Sequence, residues 1–312
     1  MLKTLYFGFV ALLFAFFVGG MSARHDMFPW PQLFAAKQRA LGAKSVEASR
    51  YVFEDNGLLV ADESKTAVAC PSQTDRTAVL LVLGQSNASN HAGQRYRSGD
   101  GDRVVNFFGG KCYVAASPLL GSTGSAGEYW TLLGNLLVAS GKFDSVVLAP
   151  LAVTGSVVQR WAKGGDLNTL LIDTAGQVRR AGYQVTDVLW VQGEADYVKG
   201  TGSDAYRDRF LSMVDTLRQQ GVDAPVYIST ATKCLEPSNG GFKVHDPDNA
   251  IVRAQEALHK AGNGIRAGID TDILLDEVDR YDDCHFGGSG NEKAAQAWTE
   301  LLLNDQRQLS MQ

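Results

Sequence analysis

The pattern of apolar and polar positions divides the chain into three stretches. Residues 5–21 are uncharged and almost wholly apolar, and residues 22–75 are mixed and polar-leaning, with helical periodicity near 31–41. From residue 76 the pattern becomes regular. Apolar runs at 77–83, 145–153, 185–191 and 225–230 are rich in Val, Leu and Ile. Their shortness and lack of polar alternation predict strands buried on both faces. Between and after them, apolar residues recur at three- and four-residue intervals, which predicts helices at 128–140, 167–181, 204–220, 250–261 and 291–303. In the first of these Trp130, Leu132, Leu133, Leu136 and Leu137 precede a stop at Gly141. In the third, Tyr206, Phe210, Met213, Val214 and Leu217 share one face. Alternating strand and helix predict an α/β fold with a parallel sheet covered on both sides. Ligands bind beyond the carboxyl ends of such strands, so the residues after each run are where chemistry is expected.

The length of 312 residues suits one large domain or two small ones, and a composition of 45% hydrophobic and 20% charged residues supplies a full core. A formal net charge of -5, without a long Lys/Arg run, excludes a broad nucleic-acid surface. The run at 5–21 is at the short end of a membrane span and slightly long for a signal-peptide core. Met21-Ser22-Ala23 places Met where cleavage wants a small residue, so a signal anchor is favoured over a cleaved signal peptide. Phe28, Trp30 and Phe34 suit a membrane interface. Either reading exports the rest, membrane-anchored or periplasmic/extracellular. The expected organisation is a signal segment at 1–21, a stalk or N-terminal extension at 22–75 and a catalytic domain at 76–305. Four cysteines in an exported chain fit two disulfides.

The segments after the strands carry the candidate chemistry. After the first comes Gly84-Gln85-Ser86-Asn87, where a tight turn can hold a serine hydroxyl and its own N–H toward one space. After the second come Thr154-Gly155-Ser156 and Arg160-Trp161, with Gly155 able to bring its N–H close to a ligand. After the third comes Gln192-Gly193-Glu194-Ala195-Asp196, in which Gln192 offers a neutral amide donor. Before the last helix comes Tyr281-Asp282-Asp283-Cys284-His285-Phe286. The Asp-x-x-His spacing can set a carboxylate on one imidazole nitrogen and leave the other as a base. Among the remaining histidines, His25 lies beside the apolar run, His259 is on an amphipathic helix, and His91 has no acidic partner nearby in sequence. His245, near Asp246 and Asp248, is the one rival base. Asp282, Cys284 and His285 lack the paired ligand spacing of a zinc site, so neither metal nor other cofactor is expected.

Together, GQSN at 84–87, TGS at 154–156 with Arg160-Trp161, WVQGEAD at 190–196 and DDCHF at 282–286 resemble the SGNH hydrolase superfamily, and within it the sialate O-acetylesterase-like carbohydrate esterases. The resemblance covers residues 76–305. It implies a flavodoxin-like three-layer α/β/α sandwich and a serine esterase that removes O-acetyl groups from carbohydrate. Two positions depart from the family pattern, Thr154 in place of a glycine and Ala195 in place of a small polar residue. The resemblance implies Ser86 as nucleophile, His285 as base and Asp282 as its orienter, with Asp283 the alternative. It implies the Ser86 and Gly155 N–H groups and the Gln192 side chain as oxyanion donors. Trp161 is expected either as an apolar or sugar-stacking wall of the substrate site or as a core residue, and Glu194, placed beside the substrate, is expected to be structural, holding its loop by hydrogen bonds. An envelope polysaccharide O-acetyltransferase using the same serine is the alternative, with a sugar hydroxyl replacing water. Cys234 and Cys284, both expected at the active sheet edge, are predicted to pair, which leaves Cys70 with Cys112.

Overall fold

A computed structural model describes residues 50–234, 237–238, 241–242 and 245–309. The expected membrane anchor at 5–21 and the helix at 31–41 lie outside the described residues. Among the described residues no helix is long and apolar enough to cross a membrane.

The core of Tyr51–Gln312 is an eight-stranded sheet, order β12-β9-β8-β4-β7-β5-β6-β3. Six neighbouring strands are parallel: β12 (Ile265–Asp270), β9 (Val226–Thr230), β8 (Asp187–Val191), β4 (Thr77–Gly84), β7 (Ser145–Ala152) and β5 (Val104–Phe108). β6 (Lys111–Val114) and β3 (Ala67–Val68) extend one edge in antiparallel fashion. Every residue of β4, β7 and β8 is buried, which is why their sequences read as continuous apolar runs. One face of the sheet is covered by α2 (Asp166–Arg180), α4 (Ser203–Gln219) and α5 (Ala250–Lys260). The other is covered by α1 (Trp130–Ala139) and α7 (Gly288–Leu309). Two short helices, α3 (Glu194–Val198) and α6 (Thr271–Leu274), follow β8 and β12. A small hairpin pairs β10 (Pro237–Ser238) with β11 (Gly241–Phe242). The expected three-layer α/β/α sandwich is formed, and all four strands and five helices of the regular region stand near their expected places, the last helix running six residues further than expected.

β1 (Tyr51–Phe53) and β2 (Leu59–Asp62) form an antiparallel ribbon, Leu58 and Leu59 are buried, and β3 hydrogen-bonds to β6. Residues 51–75, read as a stalk or extension, belong to the folded unit and are stapled to it by the Cys70–Cys112 disulfide. Strands of two to four residues leave no apolar run in the sequence, so pairing with a distant edge is what defines them.

Candidate active site

β4 stays buried to its last residue, Gly84, where a β-carbon would stand 2.0 Å from the Val191 carbonyl oxygen. Glycine alone permits that approach, and the chain turns at once into the tight turn Ser86–Ala88. The residues flanking Ser86 explain the motif around it. Gln85 Oε1 accepts from the Ala195 N–H at 3.1 Å, and Asn87 Nδ2 donates to Glu194 Oε1 at 2.7 Å. The GQSN turn and the loop after β8, 107 residues apart at the Asn87–Glu194 bond, are thus one hydrogen-bonded unit. Asn87 Nδ2 also lies 3.4 Å from the Cys284 carbonyl oxygen, which brings the residue after Ser86 beside the residue before His285. Ser86 Oγ has no hydrogen-bond partner among the described residues.

The His285 loop is held from several sides. Arg280 pairs with Phe286 in an isolated bridge, and the Tyr281 N–H donates to the His285 carbonyl at 3.0 Å. The buried Arg280 guanidinium donates to the carbonyls of Cys284 at 2.6 Å and Thr271 at 3.1 Å, and lies 5.3 Å from the centre of the Phe286 ring. The Cys234–Cys284 disulfide joins the loop to the segment after β9, so both expected disulfide pairs are formed.

Within that loop, His285 Nδ1 is 2.7 Å from Asp282 Oδ2, while Asp282 Oδ1 accepts the His285 backbone N–H at 2.7 Å. A carboxylate only accepts, so Nδ1 carries the hydrogen and Nε2 presents its lone pair. Partial burial works against the Asp282 charge, but the hydrogen bonds from the His285 ring and backbone outweigh it and hold the carboxyl below its ordinary range. Asp283 faces solvent with φ 65° and serves as the turn residue; it does not reach the ring.

Gly155 has φ 65° and open space where a side chain would project. Like the Ser86 amide, its N–H meets no acceptor among the described residues. The neighbouring Thr154 hydroxyl is 2.5 Å from His91 Nε2 and 2.7 Å from the Thr123 hydroxyl. The His91 ring lies against that of His285, with centroids 5.5 Å apart and planes 27° from parallel. Burial and the nearby His285 push the His91 pKa down, which favours its neutral form. Sequence spacing set His91 aside for want of an acidic neighbour; its position five residues after Ser86, in the same loop system, was the usable signal.

Three further motif residues point inward. Gln192 is fully buried, and its Nε2 donates to Asp196 Oδ2 at 2.6 Å and the Ser156 carbonyl at 3.0 Å. Both amide hydrogens are thereby committed inside the protein, so the side chain is a brace for the loop and has no free N–H for an oxyanion. Trp161 is 0% exposed, packs edge-on against Trp190 at 5.2 Å and donates to Ser156 Oγ, so it is core and not a substrate wall. Glu194 is 2% exposed and holds the loop through Asn87, the structural part of its expected role. Burial pushes its pKa up to about 7 against the opposing Asn87 hydrogen bond, and its second oxygen, Oε2, has no partner. The rival base His245 bonds the Thr232 hydroxyl at 2.8 Å, in a cluster with Asp272.

Comparison with known proteins bears on this arrangement. Residues 76–301 match the family model described as a carbohydrate esterase, sialic acid-specific acetylesterase. A probable carbohydrate esterase of Arabidopsis thaliana is 29% identical over 77 residues, a match spanning 24% of this chain and only 30% of that protein. Among solved structures, an Arabidopsis thaliana protein superposes with TM-score 0.53 at 13% identity, covering 74% of this chain and 99% of that one. NanS superposes with TM-score 0.52 at 15% identity, covering 77% and 100%.

Proposed function

The chain belongs to the sialic acid-specific acetylesterase family of carbohydrate esterases, and from that premise we propose that it removes O-acetyl groups from carbohydrate through an acyl-enzyme on Ser86. The observation that carries the reading is the Asp282–His285 pair at 2.7 Å, docked beside the Ser86 turn through the Asn87 contact to the Cys284 carbonyl. A serine hydroxyl is a poor nucleophile unless an adjacent base takes its proton. His285 Nε2 takes that proton as Ser86 Oγ bonds to the acetyl carbon. Asp282 stabilises the imidazolium and keeps the ring oriented. The carbonyl oxygen, now negative, receives the N–H groups of Ser86 and Gly155; one such donor is typically worth about 100- to 1000-fold in rate. Collapse breaks the bond to the sugar oxygen, which leaves with the proton from His285. Water, activated by the same imidazole, then releases acetate and restores Ser86.

Two disulfides fit an oxidising compartment, which supports export. In this reading the apolar segment at 5–21 tethers the enzyme to a membrane.

The test compares wild type with Ser86→Ala on a small acetyl ester and on acetylated sugars, measuring free acetate. Loss of nearly all turnover in the variant is expected, and full activity in Ser86→Ala refutes the nucleophile assignment. Acetate recovered on an added sugar acceptor, with little released free, would replace hydrolysis by transfer as the final step.

A further inference from the structure

We propose that Tyr281 is the stacking platform for the sugar ring of the substrate, a binding residue at the rim of the Ser86–His285 site. This rests on the carbohydrate esterase reading above and adds to it the surface that selects a sugar ester over any other acetate.

A surface tyrosine ordinarily keeps its hydroxyl in water and buries part of its ring. In Tyr281, which is 55% exposed, the hydroxyl is tied to the protein instead, donating to the His91 carbonyl oxygen at 2.9 Å. The residue thus offers exposed surface while its polar end is bonded to backbone. Its other end is fixed as well, because the Tyr281 N–H donates to the His285 carbonyl. Gly93 leaves room for the ring to settle: a β-carbon there would stand 2.9 Å from Tyr281 Cδ1. The ring is therefore held before any ligand arrives, and little side-chain freedom remains to be lost on binding.

Its position relates it to the chemistry. The Tyr281 and His285 ring centroids are 6.1 Å apart, with planes 28° from parallel. A pyranose lying on this ring would bury its apolar C–H face and leave its hydroxyls solvated, with an acetyl substituent within reach of the adjacent imidazole. The other aromatic candidates fail on placement. Trp130, Trp161, Trp190 and Trp298 are fully buried. Phe53, the other exposed aromatic among the described residues, lies on β1 of the N-terminal ribbon.

The experiment measures kcat/KM for an O-acetylated monosaccharide and for 4-nitrophenyl acetate in wild type, Tyr281→Phe and Tyr281→Ala, and reads the ratio of the two values. Because both substrates use the same His285 loop, general loosening of that loop cancels in the ratio. The ratio is expected to fall about tenfold in Tyr281→Ala, mainly through KM for the sugar, and to stay within about threefold of wild type in Tyr281→Phe, which keeps the ring. An unchanged ratio in Tyr281→Ala overturns the platform alone. A wild-type enzyme that cleaves the aryl ester but no acetylated sugar overturns the carbohydrate reading, and the platform with it.

Discussion

Replacing Glu194 by Gln is the most direct probe of how the site is supported. The Glu194 carboxyl is buried, has one oxygen held by Asn87 and the other without a partner, and titrates near 7 where an ordinary glutamate titrates at 4.5. The folded protein thus holds this proton more tightly than the unfolded chain does. The stability linked to that proton is fully present below the unfolded pKa and is lost as pH rises through about 7. Each pKa unit corresponds to about 1.4 kcal/mol, so the full penalty for ionising the group in place is about 3.5 kcal/mol. Between pH 5 and pH 8 the wild type should lose about 2.5 kcal/mol relative to Glu194→Gln, which cannot ionise but retains an acceptor for Asn87. Other titrating groups are shared by the two proteins and cancel in the difference. Urea unfolding at both pH values, followed by the fluorescence of the buried tryptophans Trp130, Trp161, Trp190 and Trp298, measures it. A gap between the two proteins that stays constant from pH 5 to pH 8 would show that Glu194 is ionised throughout, and the reasoning from burial would fail.

Asp282→Asn retains an oxygen for the His285 backbone but sets an amide donor against Nδ1, which favours the tautomer unable to accept from Ser86. In a buried triad that change costs about 10,000-fold; Asp282, with a 40% exposed side chain, should lose less, on the order of 100- to 1000-fold in kcat. Steady-state kinetics on a small acetyl ester decide it, and a larger loss in Asp283→Asn would transfer the orienting role. Because the folded Asp282 pKa is depressed, its stabilising contribution exists above the ordinary carboxylate range and disappears as pH falls through the lowered value. Removing either disulfide by paired Cys→Ser changes should cost similar stability, up to roughly 4 kcal/mol by chain entropy, since the closed loops span 50 and 42 residues. Only the Cys234/Cys284 pair adjoins His285, so kcat should fall in that variant alone; an equal fall without Cys70 and Cys112 would contradict the bracing role.

The parallel centre of the sheet was legible because burial on both faces forces continuous apolar sequence in β4, β7, β8 and β9. β12 was not, because as an edge strand it buries only Ile265 and Ile269 and carries Arg266 and Asp270. β5 hides for a different reason: Asn106 sits fully buried at its centre, where its side chain bonds the backbone N–H and carbonyl of Leu120. No local pattern announces a polar residue whose partner lies fourteen positions along the chain.

The sequence by itself determined the fold class, the strand-end positions of the candidate site and the residue types there, since backbone turns and an Asp-x-x-His contact are short-range and leave short-range marks. Only the tertiary structure decided which motif residues face the open site and which face inward. Gln192, Trp161 and Glu194 belong to the same set of motifs as Ser86 and Gly155, yet all three are turned into the protein, where they meet Asp196, Trp190 and Asn87. His91 and Tyr281 arrive at the site by the opposite route. Nothing in their local sequence assigns them a role, and loops that pack together at one sheet edge set both rings against His285.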